Sequence, residues 1–127
     1  ALDRLLEAEK NLKKDKLHRA VRLCAESVEL GLKAIFYYLG IDFPKEHDVA
    51  KFFDNIPIVR NVLTVSERRM IRKINQILAK HRIAAFYGDP SGIPPSALFS
   101  KKQAKEAIEG CRYVLDAVTK ITQGKLK

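Results

Sequence analysis

The chain has 127 residues, 46% of them hydrophobic and 31% charged, with a formal net charge of +9. That length fits one domain, residues 1–127, with a core large enough to need no covalent staples, and the balance excludes a disordered chain. A membrane span is excluded too: the longest uncharged apolar run, Ala34 to Ile41, is closed by Lys33 and Asp42, far short of the ~20 residues a span needs.

No leader pattern opens the chain, because Asp3, Arg4 and Glu7 interrupt its start. A chain that begins at Ala1 is expected to have lost an initiator Met or to have been trimmed, and the expected location is the cytoplasm. The positive excess is spread along the chain and is greatest in the C-terminal helix and tail. A basic surface of this kind suits nucleic acid, nucleotides or an acidic protein.

The first helix is expected near Leu2–Lys13, with Leu2, Leu5, Leu6, Ala8 and Leu12 as its apolar set. Lys13 to Lys16 form a weak joint. The second helix is expected near Leu17–Leu39, where Leu17, Val21, Cys24, Val28, Leu32, Ile35 and Leu39 recur at three- and four-residue steps. Leu23, Leu30 and Phe36 widen that stripe, so this helix should lie at the centre of a bundle. Gly40 is its expected stop.

Asp42-Phe43-Pro44 makes a turn, and a short helix is expected near Glu46–Asp54, ending before Pro57. The stretch from Ile56 to Val59 is too short and too interrupted by proline to be a strand. Thr64-x-x-Glu67 is a capping box, opening a helix that should reach about Phe86. Met70, Ile71, Ile74, Ile77, Leu78 and Ala85 share one face of it. Arg69, Arg72, Lys73, Gln76 and Lys80 share the opposite face, within about 100° of arc. Gly88 to Pro95 is dense in turn formers. Ser100-x-x-Gln103 caps the last helix, which Gly124 is expected to end. The expected fold is all-α: an antiparallel up-and-down bundle of four helices plus one short extra helix.

Cys24 and Cys111 both fall at apolar helical positions. Two reduced buried thiols are the expectation, and a bridge between them cannot be deduced from spacing. No clustered ligand set suggests a metal, and no cofactor is expected.

The segment from Ala20 to Phe53 carries Glu29, three residues, then Lys33 and Ala34, followed by a short loop and the pair His47-Asp48. The segment from Arg82 to Val118 carries Tyr87-Gly88-Asp89, then Pro94-Pro95, then Phe99-Ser100 ahead of an alanine-rich helix. In this order and spacing the chain resembles the HEPN domain (higher eukaryote and prokaryote nucleotide-binding), of the stand-alone archaeal and bacterial type, over nearly its whole length. The resemblance implies a helical bundle, frequent homodimers, and involvement with RNA or nucleotides. It also implies a minimal nucleotidyltransferase as partner in a toxin–antitoxin-like pair. Many members are metal-independent ribonucleases that use an Arg followed, after four to six residues, by a His. The Arg holds the scissile phosphate and the His moves the proton of the attacking 2′-hydroxyl.

This chain departs from that pattern. Tyr87 stands five residues after Arg82, and His18, His47 and His81 all precede Arg82. A tyrosine with a pKa near 10 is a poor base at neutral pH, so no catalytic residue is assigned. Arg82 and Tyr87 are instead candidates to hold a phosphate and stack a base, facing one cleft if the helix ends near Phe86. His81, mid-way on the apolar face, is a further binding candidate. Arg69, Arg72, Lys73 and Lys80 form a cationic stripe broken by few acids. Glu29 and Lys33 are an i,i+4 pair in the favourable order, and His47 and Asp48 brace the start of the short helix. The function expected is a nucleotide- or RNA-binding helical module. The alternatives are a metal-independent ribonuclease with a rearranged site, or a structural interaction subunit without a ligand.

Overall fold

A computed structural model describes residues 2–41, 53–88 and 90–126. Among these residues five α-helices follow one another: α1 (Leu2–Lys13), α2 (Leu17–Tyr38), α3 (Pro57–Val62), α4 (Val65–Tyr87) and α5 (Lys101–Leu126), with a 3₁₀ turn at Pro95–Ala97. No strand occurs among the described residues. The short helix expected near Glu46–Asp54 falls almost wholly outside them.

Contacts between helices fix their directions. Arg4 meets Glu26 and Glu9 meets Arg112, while Asp15 meets Lys101. Partner numbers rise as those of α1 fall, so α1 runs antiparallel to both α2 and α5. Glu29 meets Arg82, and Arg22 meets Phe86, so α2 and α4 are antiparallel. Glu67 meets Lys120 and His81 meets Phe99, so α4 and α5 are too. The main helices therefore alternate up and down. The diagonal pair, α2 and α5, runs parallel and shares the largest packing of the molecule, with α1 on one flank and α4 on the other.

Each boundary has a local cause. Between α1 and α2, Asp15 takes φ 57°. The Lys16 amide donates to the Asn11 carbonyl and the Asp15 amide to the Leu12 carbonyl, which is a Schellman ending. Gly40, at φ 68°, closes α2 in the same way, its follower Ile41 donating to Phe36. At the start of α4, Thr64 and Glu67 exchange backbone and side-chain hydrogen bonds, each 3.1 Å. Ser100 and Gln103 do the same for α5, at 2.8 and 3.1 Å. Gly88 ends α4 at φ 78°, and any Cβ there would collide with the Ile93 carbonyl.

The core is built on α2, whose Val21, Cys24, Val28, Leu32, Ile35 and Phe36 are all buried. Ala104, Ile108, Cys111, Val114 and Ile121 of α5 meet that face, with Phe53, Val59 and Ile71 closing it. The Cys24 and Cys111 thiols hydrogen-bond one another in this seam, unbridged, and the Ser27 hydroxyl joins Cys111. The bond to Cys111, together with burial, pushes the Cys24 thiol far above its ordinary range.

Several expectations need correction. Only Leu5 and Ala8 of the α1 apolar set are buried; Leu2 and Leu6 face outward. On α4 the inward face is narrower than the apolar pattern, since Met70 and Ile77 are each 44% exposed. Pro57 does more than stop what precedes it: it opens α3 from the first helical position, where its missing N–H costs nothing. Gly124 does not stop α5, which runs on to Leu126. A glycine costs a helix only about 1 kcal/mol against alanine, and it ends one where the chain turns off in the left-handed region.

Candidate nucleic-acid interface

α4 presents two different surfaces at its two sides. At 100° per residue, Arg69, Lys73, Gln76 and Lys80 line its outward side, and all four are exposed. Tyr87 stands five full turns beyond Arg69, on that same line and 83% exposed. The row therefore runs about 27 Å at 1.5 Å per residue, with cations along it and an aromatic ring at its end. Arg72 sits at the edge of the row, where Asp54 takes its guanidinium at 3.2 Å. Arg69, Lys73 and Lys80 make no ion pair among the described residues.

The inward side of α4 faces α2. Arg82 pairs with Glu29, which also takes Lys33 at 3.1 Å. The expected i,i+4 pair of α2 is therefore real, and Arg82 makes it a three-residue cluster at the half-exposed edge of the bundle. Phe86, one turn beyond Arg82, lies between two guanidiniums: that of Arg22 at 5.1 Å and that of Arg82 at 6.0 Å. Both are in the range of a cation–π contact. The Nε of Arg22 is buried without a hydrogen-bond partner, and Glu26 stands 3.9 Å from it.

Arg82 and Tyr87 do not share a cleft. The expectation assumed a helix ending near Phe86, but α4 continues through Tyr87. Five helical residues rotate the chain by about 140°, which sends Arg82 toward α2 and Tyr87 to the outward row. Phe86 separates them, its ring 6.0 Å from that of Tyr87. His81 turns to a third direction. It is half-buried against α5, edge-on to Phe99 at 5.5 Å, and it lines a groove there. Burial, with Lys80 beside it, holds its imidazole below the ordinary value. His81 and Arg82, neighbours in sequence, thus face opposite helices. His47 and Asp48 lie outside the described residues.

Sequence spacing missed the Arg22–Phe86–Arg82 arrangement because its partners come from two helices. One signal was present: Arg22, Glu26, Glu29 and Lys33 recur at four, three and four residues along α2. A charged row of this kind on an otherwise apolar helix must meet partners on its neighbours. Among the described residues no group of His, Cys, Asp and Glu is arranged to hold a metal. No helix there is long and apolar enough to cross a membrane.

No curated protein and no solved structure matches the chain. The family model of the HEPN domain matches residues 1–121. With that match over almost its entire length, on a helical bundle with no strand among the described residues, this chain belongs to the HEPN domain family.

Proposed function

We propose that this domain binds single-stranded RNA, or a nucleotide, along the outward row of α4. The observation that carries the reading is the alignment of Arg69, Lys73 and Lys80 with Tyr87 on one exposed line. Cations at one- and two-turn spacing attract successive phosphates, and an open tyrosine offers a stacking face to any base. The net charge of +9 adds long-range attraction.

Membership of the HEPN family, generally concerned with nucleotides or RNA, supports the same reading. The resemblance extends it to a minimal nucleotidyltransferase partner in a toxin–antitoxin-like pair. Two buried, unbridged thiols fit a reducing compartment such as the cytoplasm. A homodimer is part of the proposal, supported by Leu30, Ala34 and Tyr37, which stand exposed along one line of α2. Sedimentation of the wild type and of Tyr37→Asp tests it, and a wild type monomeric at high concentration would remove it.

The test of binding is its salt dependence. Three phosphate contacts on a single strand predict a slope of log K against log salt of about −2. Lys73→Ala and Lys80→Ala should each flatten that slope by about 0.7. Affinity that ignores salt, or that survives loss of both lysines, would sink the reading.

A further inference from the structure

Between α4 and α5 the packing leaves a half-open groove of about 100 Å³. Its floor is apolar: Ile74 and Leu78 from α4, Ala107 and Gly110 from α5. Gly110 is what lets the helices approach so closely, since a Cβ there would lie 3.1 Å from Ile74 Cγ2. Ile77 and His81 form one wall. The opposite wall is polar, made by Gln103 and Glu106, one turn apart on α5.

The two polar side chains are not equivalent. Gln103 Oε1 already accepts the Ser100 amide at 2.8 Å in the cap of α5, so its Nε2 is left to donate. Glu106 is exposed and makes no ion pair among the described residues, so its carboxylate is an open acceptor. The wall thus offers a donor and an acceptor side by side above an apolar floor. The outward row of α4 runs along the lip of the same groove: Lys73 lies one turn before Ile77 and Lys80 one turn after it.

We infer that this groove seats one base of the strand held by the lysines, and that it selects an amine-bearing base, cytosine in particular. The inference rests on the RNA-binding reading above and names what that surface recognises. Cytosine presents its amine next to an unprotonated ring nitrogen. The amine donates to Glu106, and the ring nitrogen accepts from Gln103. Acceptance of the cytosine amine by a carboxylate is a recurrent readout, and splayed single-stranded bases are commonly read along this edge. Uracil presents a carbonyl and a ring N–H at the same two places, which sets oxygen against carboxylate and donor against donor. Guanine presents a carbonyl and a ring N–H there, as uracil does; adenine presents the same edge as cytosine, and size separates those two. The groove is smaller than the cavity of about 150 Å³ that encloses a benzene molecule and is open on one side, so the smaller base fits it more closely.

Binding of end-labelled octamers C8, U8 and A8 to the full chain tests this. C8 should bind about tenfold tighter than U8, in line with one good base-reading pair, and tighter than A8. Glu106→Ala, an exposed helical position that tolerates alanine, should bring C8 down to the affinity of U8. Lys80→Ala should weaken C8 and U8 equally and keep their ratio. Equal binding of C8 and U8, a preference for A8, or a ratio untouched by Glu106→Ala overturns the base assignment and leaves the RNA-binding reading standing. Failure of every octamer to bind at low salt removes both.

Discussion

His81 shows how one side chain couples packing to proton binding. Burial against α5 holds its imidazole below the ordinary value, and burial with Arg19 and Arg22 does the same to His18. An unfolded chain therefore binds more protons than the folded one at any pH between the lowered values and about 6.5. Stability rises with pH across that window, is complete above it, and falls as pH drops into it. Chemical denaturation at pH 7.5 and pH 5.5 should show the loss, and His81→Phe should reduce it while His18 keeps the remainder. A pH dependence unchanged in His81→Phe would contradict the assignment. At this scale the sequence was a partial guide. It placed His81 on the apolar face of α4, which here meets α5, and Glu29 beside Lys33. It misjudged Tyr87, because one extra residue of helix turns a side chain by about 100°. No inspection of spacing alone fixes where the last turn stops.

Elements were more legible than residues. The apolar period along α2 and the two capping boxes are local signals, and local signals survive into the fold. The box at Thr64 has a further consequence. Its backbone hydrogen bond to Glu67, with Lys120 adding a second contact, holds the Glu67 carboxyl below the ordinary carboxylate range. Thr64→Ala removes only the hydroxyl half of the box and should cost about 1 kcal/mol, while the Glu67 carboxyl stays lowered because alanine keeps the backbone N–H that it accepts; urea denaturation and carboxylate titration read the two. A stability unchanged in Thr64→Ala would show that the hydroxyl cap is not what orders this helix start. The helix α3 escaped notice for a physical reason. Six residues carry too little apolar periodicity to announce themselves, and Pro57 reads equally as the end of one helix and the start of another. The outward Met70 and Ile77 were misread on the same ground: an apolar side chain marks a face that favours burial, and only the neighbouring helix decides how much of it is covered.

At the scale of the molecule, opposite charges stitch the rim of the bundle while three cations without ion pairs among the described residues, Arg69, Lys73 and Lys80, line one side of α4. The ion pairs Arg4–Glu26, Glu9–Arg112 and Glu67–Lys120 each join two helices across the surface, and Asp15–Lys101 ties the α1–α2 turn to α5. Exposed pairs of this kind contribute little, typically under about 1 kcal/mol each. The apolar seam between α2 and α5 holds the fold, and the charge pattern decides what approaches it.

That seam also sets an order of events at synthesis. The second helix, with the longest greasy flank, leaves the ribosome before α3 and α4, and its parallel companion α5 emerges only after them. Until it does, that flank has only α1 and α4 to cover it. A nascent chain stopped just short of Lys101 should therefore be sticky and poorly folded, recognised by chaperones and quickly cleaved by protease, whereas extension through residues 101–127 should abolish both behaviours.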